Sequence, residues 1–336
     1  MKNISTTLII YILSLEVVFS QRMVKDANFT TVFKKVMEIQ LSNEVPIGSV
    51  GSFDCNEHSI LITDAVSKKV ILYNYDGKFV KLLNPEECTP GFLLNPIYAT
   101  FSRNENIYVI NEFNTGYIFD PEGLCIGPMH SSFIRVPHIC FLNSDEIVAY
   151  SNLGDGNYLK LMNKFGKEIE KFGDIPQTFK NIIERFRGGG LVSDKYGYIY
   201  RVDVLSPTIY QYKNKKIIKR IEKYPSNFKN IFKDIINPQN PADLIKQYKN
   251  ISENNSIVTN LYIANEKLLL IQYYHNKKYS VQLISTDGNQ FLSKPIDVDS
   301  PFIFAKKGRA FKIYQPIPDI SGNLPNPKVI VYEINF

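Results

Sequence analysis

Ser59-Ile-Leu-Ile-Thr-Asp64, a short linker to Lys69, then Val70-Ile-Leu-Tyr-Asn-Tyr-Asp-Gly-Lys78: two apolar, β-branched and aromatic runs closed by a glycine turn describe a pair of strands. The same unit recurs. Its turn falls at Asp120-Pro-Glu-Gly123, Lys164-Phe-Gly166, Lys213-Asn-Lys215 and Asp287-Gly288, and a last strand pair ends at Val329-Ile-Val-Tyr-Glu-Ile334. The turn markers stand 46, 43 and 49 residues apart before one long step of 73. A period of 40 to 50 residues, each worth about four strands, is the signature of a β-propeller. The expected fold is all-β with six blades.

Composition agrees. Tyr 21 and Phe 22 with no Trp suit aromatics packed on pleated surfaces, and the absence of Trp excludes propellers whose repeats end in Trp-Asp. The net charge of +6 arises from 39 basic and 33 acidic residues without a long block. The densest cluster, Lys213-Asn-Lys-Lys-Ile-Ile-Lys-Arg220, overlies a turn, which reads as a solvated face. No nucleic-acid partner is expected.

The long step holds Pro225 to Ser256, where Phe228, Ile231, Phe232, Ile235 and Ile236 fall at helical spacing. This predicts a short helical insertion between blades 4 and 5, over about 226–255. Such insertions in repeat folds often mark a binding face. A second helical stretch, Gln177 to Phe186, ends at Gly188-Gly-Gly190, which supplies a helix stop. The last repeat offers only three strands, Phe302–Ala305, Arg309–Tyr314 and Lys328–Ile334. The alternating run Phe33-Lys-Lys-Val-Met-Glu-Ile-Gln-Leu41 is expected to supply the fourth and close the ring.

At the N-terminus Lys2 precedes an apolar run from Leu8 to Leu15, interrupted by Glu16, and small-residue spacing at Val18 and Ser20. This predicts a cleaved secretory signal over 1–20 and a propeller over 21–336, exported to the periplasm or beyond, with no stable membrane insertion after cleavage. Cys55, Cys88, Cys125 and Cys140 allow three full pairings. The expectation is mostly free, buried cysteines.

The Ile62-Thr63-Asp64 segment with its Tyr-Asp-Gly-Lys turn resembles repeats of the NHL/TolB-like six-bladed propellers. After residue 20 the chain resembles the exported propeller proteins of Bacteroidetes-type bacteria, many without an assigned activity. Many such relatives are lipoproteins, and the lack of a cysteine just after the signal departs from that pattern. The resemblance implies that the first strand of each blade lines a central channel and that the loops entering these strands share a face with those joining the second and third strands. Candidate ligand-binding residues at that mouth are Asn95, Tyr98, Arg135, His138, Arg187, Asp203 and Asn260.

For chemistry, the four histidines, His58, His130, His138 and His275, are scattered, without the spacing a metal site needs. No Gly-x-Ser-x-Gly elbow or phosphate-binding glycine loop is present. Asp64 and Asp203 read as caps of blade turns. The expected function is therefore a binding or interaction module without metal or cofactor, its partner a protein or a small molecule. The competing expectations are a lactonase-like hydrolase or lyase at the channel mouth and a scaffold whose mouth is plugged by Tyr98 and Phe302.

Overall fold

A computed structural model describes residues 23–24, 27–91, 94–112, 116–129, 138–143, 145–150, 157–174, 189–229, 243, 246, 253–317 and 324–336. The chain begins with β1 (Met23–Val24), a one-turn helix α1 (Phe29–Val32) and β2 (Phe33–Gln40). Blade 1 follows as β3 (Val50–Cys55), β4 (Ser59–Asp64), β5 (Lys69–Asn74) and β6 (Phe79–Leu82). Blade 2 is β7 (Pro96–Phe101), β8 (Ile107–Asn111), β9 (Gly116–Phe119) and β10 (Cys125–Met129). Blade 3 is β11 (Ile139–Phe141), β12 (Ile147–Tyr150), β13 (Asn157–Met162) and β14 (Glu168–Asp174).

Blade 4 comprises β15 (Gly190–Ser193), β16 (Ile199–Asp203), β17 (Ser206–Lys213) and β18 (Lys216–Ile221). Blade 5 comprises β19 (Ile257–Asn265), β20 (Leu268–His275), β21 (Lys278–Ser285) and β22 (Phe291–Leu292), with β23 (Ile296–Val298) also on β21 and β1 parallel to β22. Blade 6 is β24 (Phe304–Lys306), β25 (Arg309–Tyr314) and β26 (Lys328–Ile334), completed by β2. The expected six-bladed, all-β ring is what forms.

Its core is divided. Six apolar clusters each bring together residues of two neighbouring blades. In β4, Ile60 and Ile62 face blade 6 while Leu61 faces blade 2. Both sides of such a strand are buried, which is why these stretches read as continuous apolar runs rather than as alternation.

The ring closes as expected. β2 pairs antiparallel with β26, Phe33 opposite Ile334 and Gln40 opposite Lys328. Phe33 and Phe29 join Phe302 and Tyr332 in an aromatic cluster, and buried Lys312 sits over the Phe29 and Phe302 rings while pairing with Asp299. Buried Asn326 ties the seam on one face. Its Oδ1 accepts from Ile47 N at 2.8 Å, and its Nδ2 donates to the Ser42 and Val45 carbonyls at 2.6 and 2.7 Å. Gly77 in the first repeat's turn has φ +81°, and a Cβ there would lie 2.2 Å from the Gln40 carbonyl oxygen, so the turn glycine also makes room for the closing strand.

One expectation changes. Cys88 and Cys125 form a disulfide between the loop entering blade 2 and the outer strand of that blade, while Cys55 and Cys140 are free and buried. The pairing follows from blade packing, which brings together residues 37 apart in sequence. The helical stretch at 177–186 lies outside the described residues, as does most of 226–255. What is described of the insertion is its base: Phe228 packs edge-on to Tyr273 at 5.7 Å, Lys229 N donates to Ser256 Oγ at 3.0 Å, and Ser256 N donates to the Lys229 carbonyl at 3.3 Å. Asp243, Lys246, Glu253 and Asn254 have helical backbone. Of the three glycines beyond the first stretch, Gly190 serves packing: a Cβ there would fall 2.3 Å from that of Leu261 in the next blade.

Candidate functional site: the central channel

Antiparallel order within each blade fixes two faces of the ring. The upper face carries the loops that enter each first strand and those that join second to third strands; the lower face carries the remaining turns. Through the centre runs a cavity of about 1590 Å³ walled by β3, β7, β11, β15, β19 and the segment 301–306.

First strands are too far apart around the channel to form a continuous ladder, so side chains bridge them. Asp54 on β3 accepts from Thr100 Oγ1 at 2.5 Å and Phe101 N at 2.9 Å on β7, as well as from Cys55 N at 2.6 Å. Ser52 Oγ accepts from Ala99 N at 3.1 Å. Ser193 Oγ on β15 donates to the Phe141 carbonyl on β11 at 2.6 Å. In blade 5, Tyr262 OH donates to the Phe302 carbonyl at 3.1 Å and Gln272 Oε1 accepts from Phe302 N at 2.7 Å.

The longest bridge is Arg103, just past β7. Its Nε donates to the Phe141 carbonyl at 2.9 Å, and its Nη2 to the Ser193 carbonyl at 3.3 Å and to the Asp194 carbonyl. Burial lowers its pKa.

Of the expected site residues, Tyr98, His138 and Asn260 stand on the channel wall. Tyr98 and His138 are half-buried. Burial raises the Tyr98 phenol well above its ordinary value and lowers His138 to about 4, so both are neutral near pH 7. The His138 ring lies edge-on to Tyr150 at 6.2 Å. Cys140 is pushed up to about 12 by burial, and burial raises the Asp54 carboxyl against the opposing charge of Lys306. Tyr98, His138 and Asn260 thus give the upper channel wall aromatic surface and neutral hydrogen-bonding groups, while Asp54 lies toward the lower end of β3.

The others lie elsewhere. Asn95 belongs to the upper face outside the channel lining, where its Nδ2 donates to Glu112 Oε2 at 2.7 Å and its backbone N to Asn111 Oδ1 at 3.3 Å. Asp203 is taken up by Arg201. That guanidinium is 2% exposed, stacked 3.8 Å from the Tyr158 ring and 4.4 Å from that of Tyr210, and Nε donates to Tyr212 OH at 3.2 Å. Asp203 therefore pairs with a side chain where a turn cap was expected. Asp64 is such a cap: it accepts from Gly48 N, Ser49 N, Val66 N and Ser67 Oγ. Burial alone pushes its carboxyl up, and these bonds outweigh burial to hold it low. Arg135 and Arg187 lie outside the described residues. Phe302 turns into the cluster between blades 5 and 6, so it does not plug the mouth.

Asp54, Thr100 and Arg103 were not anticipated. The sequence signal for Asp54 is a lone carboxylate in Ser52-Phe-Asp-Cys55, which follows Gly48 and Gly51 and carries no continuous apolar run. No group of three or more potential metal ligands occurs among the described residues, and no helix among them is long and apolar enough to cross a membrane.

No family model matches the sequence, and no curated protein matches it. Solved structures do. A Bacteroides fragilis protein described as exported superposes with a TM-score of 0.64 at 11% identity, covering 94% of this chain and 100% of that one. A Bacteroides vulgatus member of the DUF4221 family gives 0.62 at 11% identity, over 91% and 99% of the two chains. A streptogramin B lyase gives 0.53 at 10% identity, over 92% and 100%. The chain has a six-bladed propeller fold and is similar in fold to these Bacteroides proteins.

Proposed function

We propose that the protein is an exported binding protein that holds a small ligand in the central channel, its body against Tyr98, His138 and Asn260 in the upper half. The supporting observation is the cavity of about 1590 Å³, whose upper half is lined by aromatic faces and a few neutral polar groups, the usual make-up of a small-molecule site. Arg135 and Arg187, in the segments leading into β11 and β15, complete the candidate set. Export is supported by the composition of residues 1–20, by the Cys88–Cys125 disulfide, a bond that persists in oxidising compartments, and by the likeness to exported propellers.

The test is a thermal-shift screen of neutral aromatic and polyhydroxylated compounds against the wild-type protein and Asn260→Trp, which fills the upper channel. Compounds that raise the wild-type melting temperature should lose their effect in the variant. Equal stabilisation of both proteins, or none of either, overturns the reading. Chemical conversion of a bound compound would instead favour a lyase or hydrolase at the same position.

A further inference from the structure

The lower half of the channel holds a cation without a counter-ion. Arg103 offers five N–H donors in a planar fork. Nε and Nη2 are held by carbonyls of blades 3 and 4, and Nη1, on the edge left over, makes no hydrogen bond among the described residues. Carbonyls orient a guanidinium but do not neutralise it. The carboxylates that act on it electrostatically are Asp194 and Asp145, and neither comes within ion-pair distance. Asp194 is engaged by Tyr196 N, Tyr198 N and Tyr200 OH, and Asp145 by Asn104 Nδ2.

Two other lysines at this mouth are paired: Lys195 with Glu266, and Lys307 with Glu57. Exposed Arg309 reaches Tyr75, and Glu105 sits in the turn at φ 65°. Lys306, on the blade 6 side of the same cavity, has no ion pair among the described residues; its charge acts on the buried Asp54 carboxyl, which is already taken up by Thr100 Oγ1, Phe101 N and Cys55 N, and its Nζ lies 5.9 Å from the Phe304 ring centroid. Keeping a fixed, half-buried guanidinium unpaired is costly. The arrangement becomes complete when an anion docks on Nη1, where a planar fork matches a carboxylate or phosphate group.

We propose that the lower channel is an anion subsite built on Arg103 with Lys306, and that the ligand of the channel is a small organic acid whose neutral, aromatic-compatible body occupies the upper half while its carboxylate or phosphate group meets the free edge of the guanidinium. This rests on the channel being the ligand site.

The probes are 1-naphthoate and 1-naphthamide, equal in shape and different in charge, titrated calorimetrically into the wild type, Arg103→Gln, Lys306→Gln and Asn260→Trp. The acid should bind the wild type roughly tenfold or more tightly than the amide. Arg103→Gln should abolish that preference. Lys306→Gln, which breaks no bridge between blades, should reduce it in a protein that still melts in one transition, so the inference stays testable if Arg103→Gln fails to fold. Acid and amide binding equally to the wild type, or a preference untouched by Lys306→Gln, overturns the anion subsite while leaving the channel reading intact. Binding of both compounds undiminished in Asn260→Trp overturns the channel reading itself, and failure of both to bind the wild type overturns the subsite for this ligand class.

Discussion

His138 shows how a single side chain inherits its chemistry from the ring around it. Its folded pKa of about 4 lies below the ordinary 6.5, so between those values the unfolded chain binds the proton and the folded one does not. Stability from this residue is complete above about pH 6.5 and falls as pH drops toward 4. The full loss corresponds to about 3 kcal/mol. Urea titrations at pH 7.0 and 4.5 should therefore show a smaller decline for His138→Phe than for the wild type; parallel declines would mean that His138 is charged in the folded protein. The other channel residues divide by how visible their partners are in sequence. Arg201 and Asp203, two apart on one strand, fall on the same face, so their pairing was legible in principle. Arg103 was not: Ser102-Arg-Asn-Glu-Asn106 reads as a solvated turn, and its acceptors lie some 40 and 90 residues away, at Phe141 and Ser193.

Among the elements, the strand pairs were read most securely because burial on both faces leaves a strong apolar signature. Asn214-Lys215 is a two-residue hairpin turn with both residues at positive φ, as Asn276 and Lys277 are in blade 5, the geometry that tight hairpins demand. β3 escaped because Pro46-Ile-Gly-Ser-Val-Gly-Ser52 carries turn residues where the strand enters the channel. The disulfide escaped because its loop and its strand meet only through the packing of the blade. It pins the entry to blade 2 against that blade's outer strand, where Cys125 N also donates to Glu87 Oε2 at 3.2 Å. With a sequence separation of 37 residues, the bridge should be worth about 2–4 kcal/mol. A Cys88→Ala/Cys125→Ala protein should melt several degrees lower, and dithiothreitol should lower the melting temperature of the wild type but not of the variant. An identical response of the two proteins to reductant would argue against the bond.

For the whole molecule, closure governs stability. Each blade shares its apolar clusters with two neighbours, so opening one seam exposes two faces. Deleting residues 21–42 removes β2, bares the edge of β26 and takes away Phe29 and Phe33 from the cluster between blades 5 and 6. The expected result is a large fall in melting temperature, with urea unfolding still a single transition by circular dichroism. An unchanged melting temperature would show that the seam is dispensable. The closing strand was legible because counting strands left the last blade one short.

That pairing also sets a clock on biosynthesis. β2 leaves the ribosome early, yet Lys328, the partner of Gln40, follows nearly 290 residues later. At ordinary rates of synthesis the wait is on the order of 15–60 s. For that time an eight-residue strand with a free hydrogen-bonding edge has no native mate within its own chain, and whatever occupies or shields it decides whether the nascent protein finds its ring or a neighbouring polypeptide.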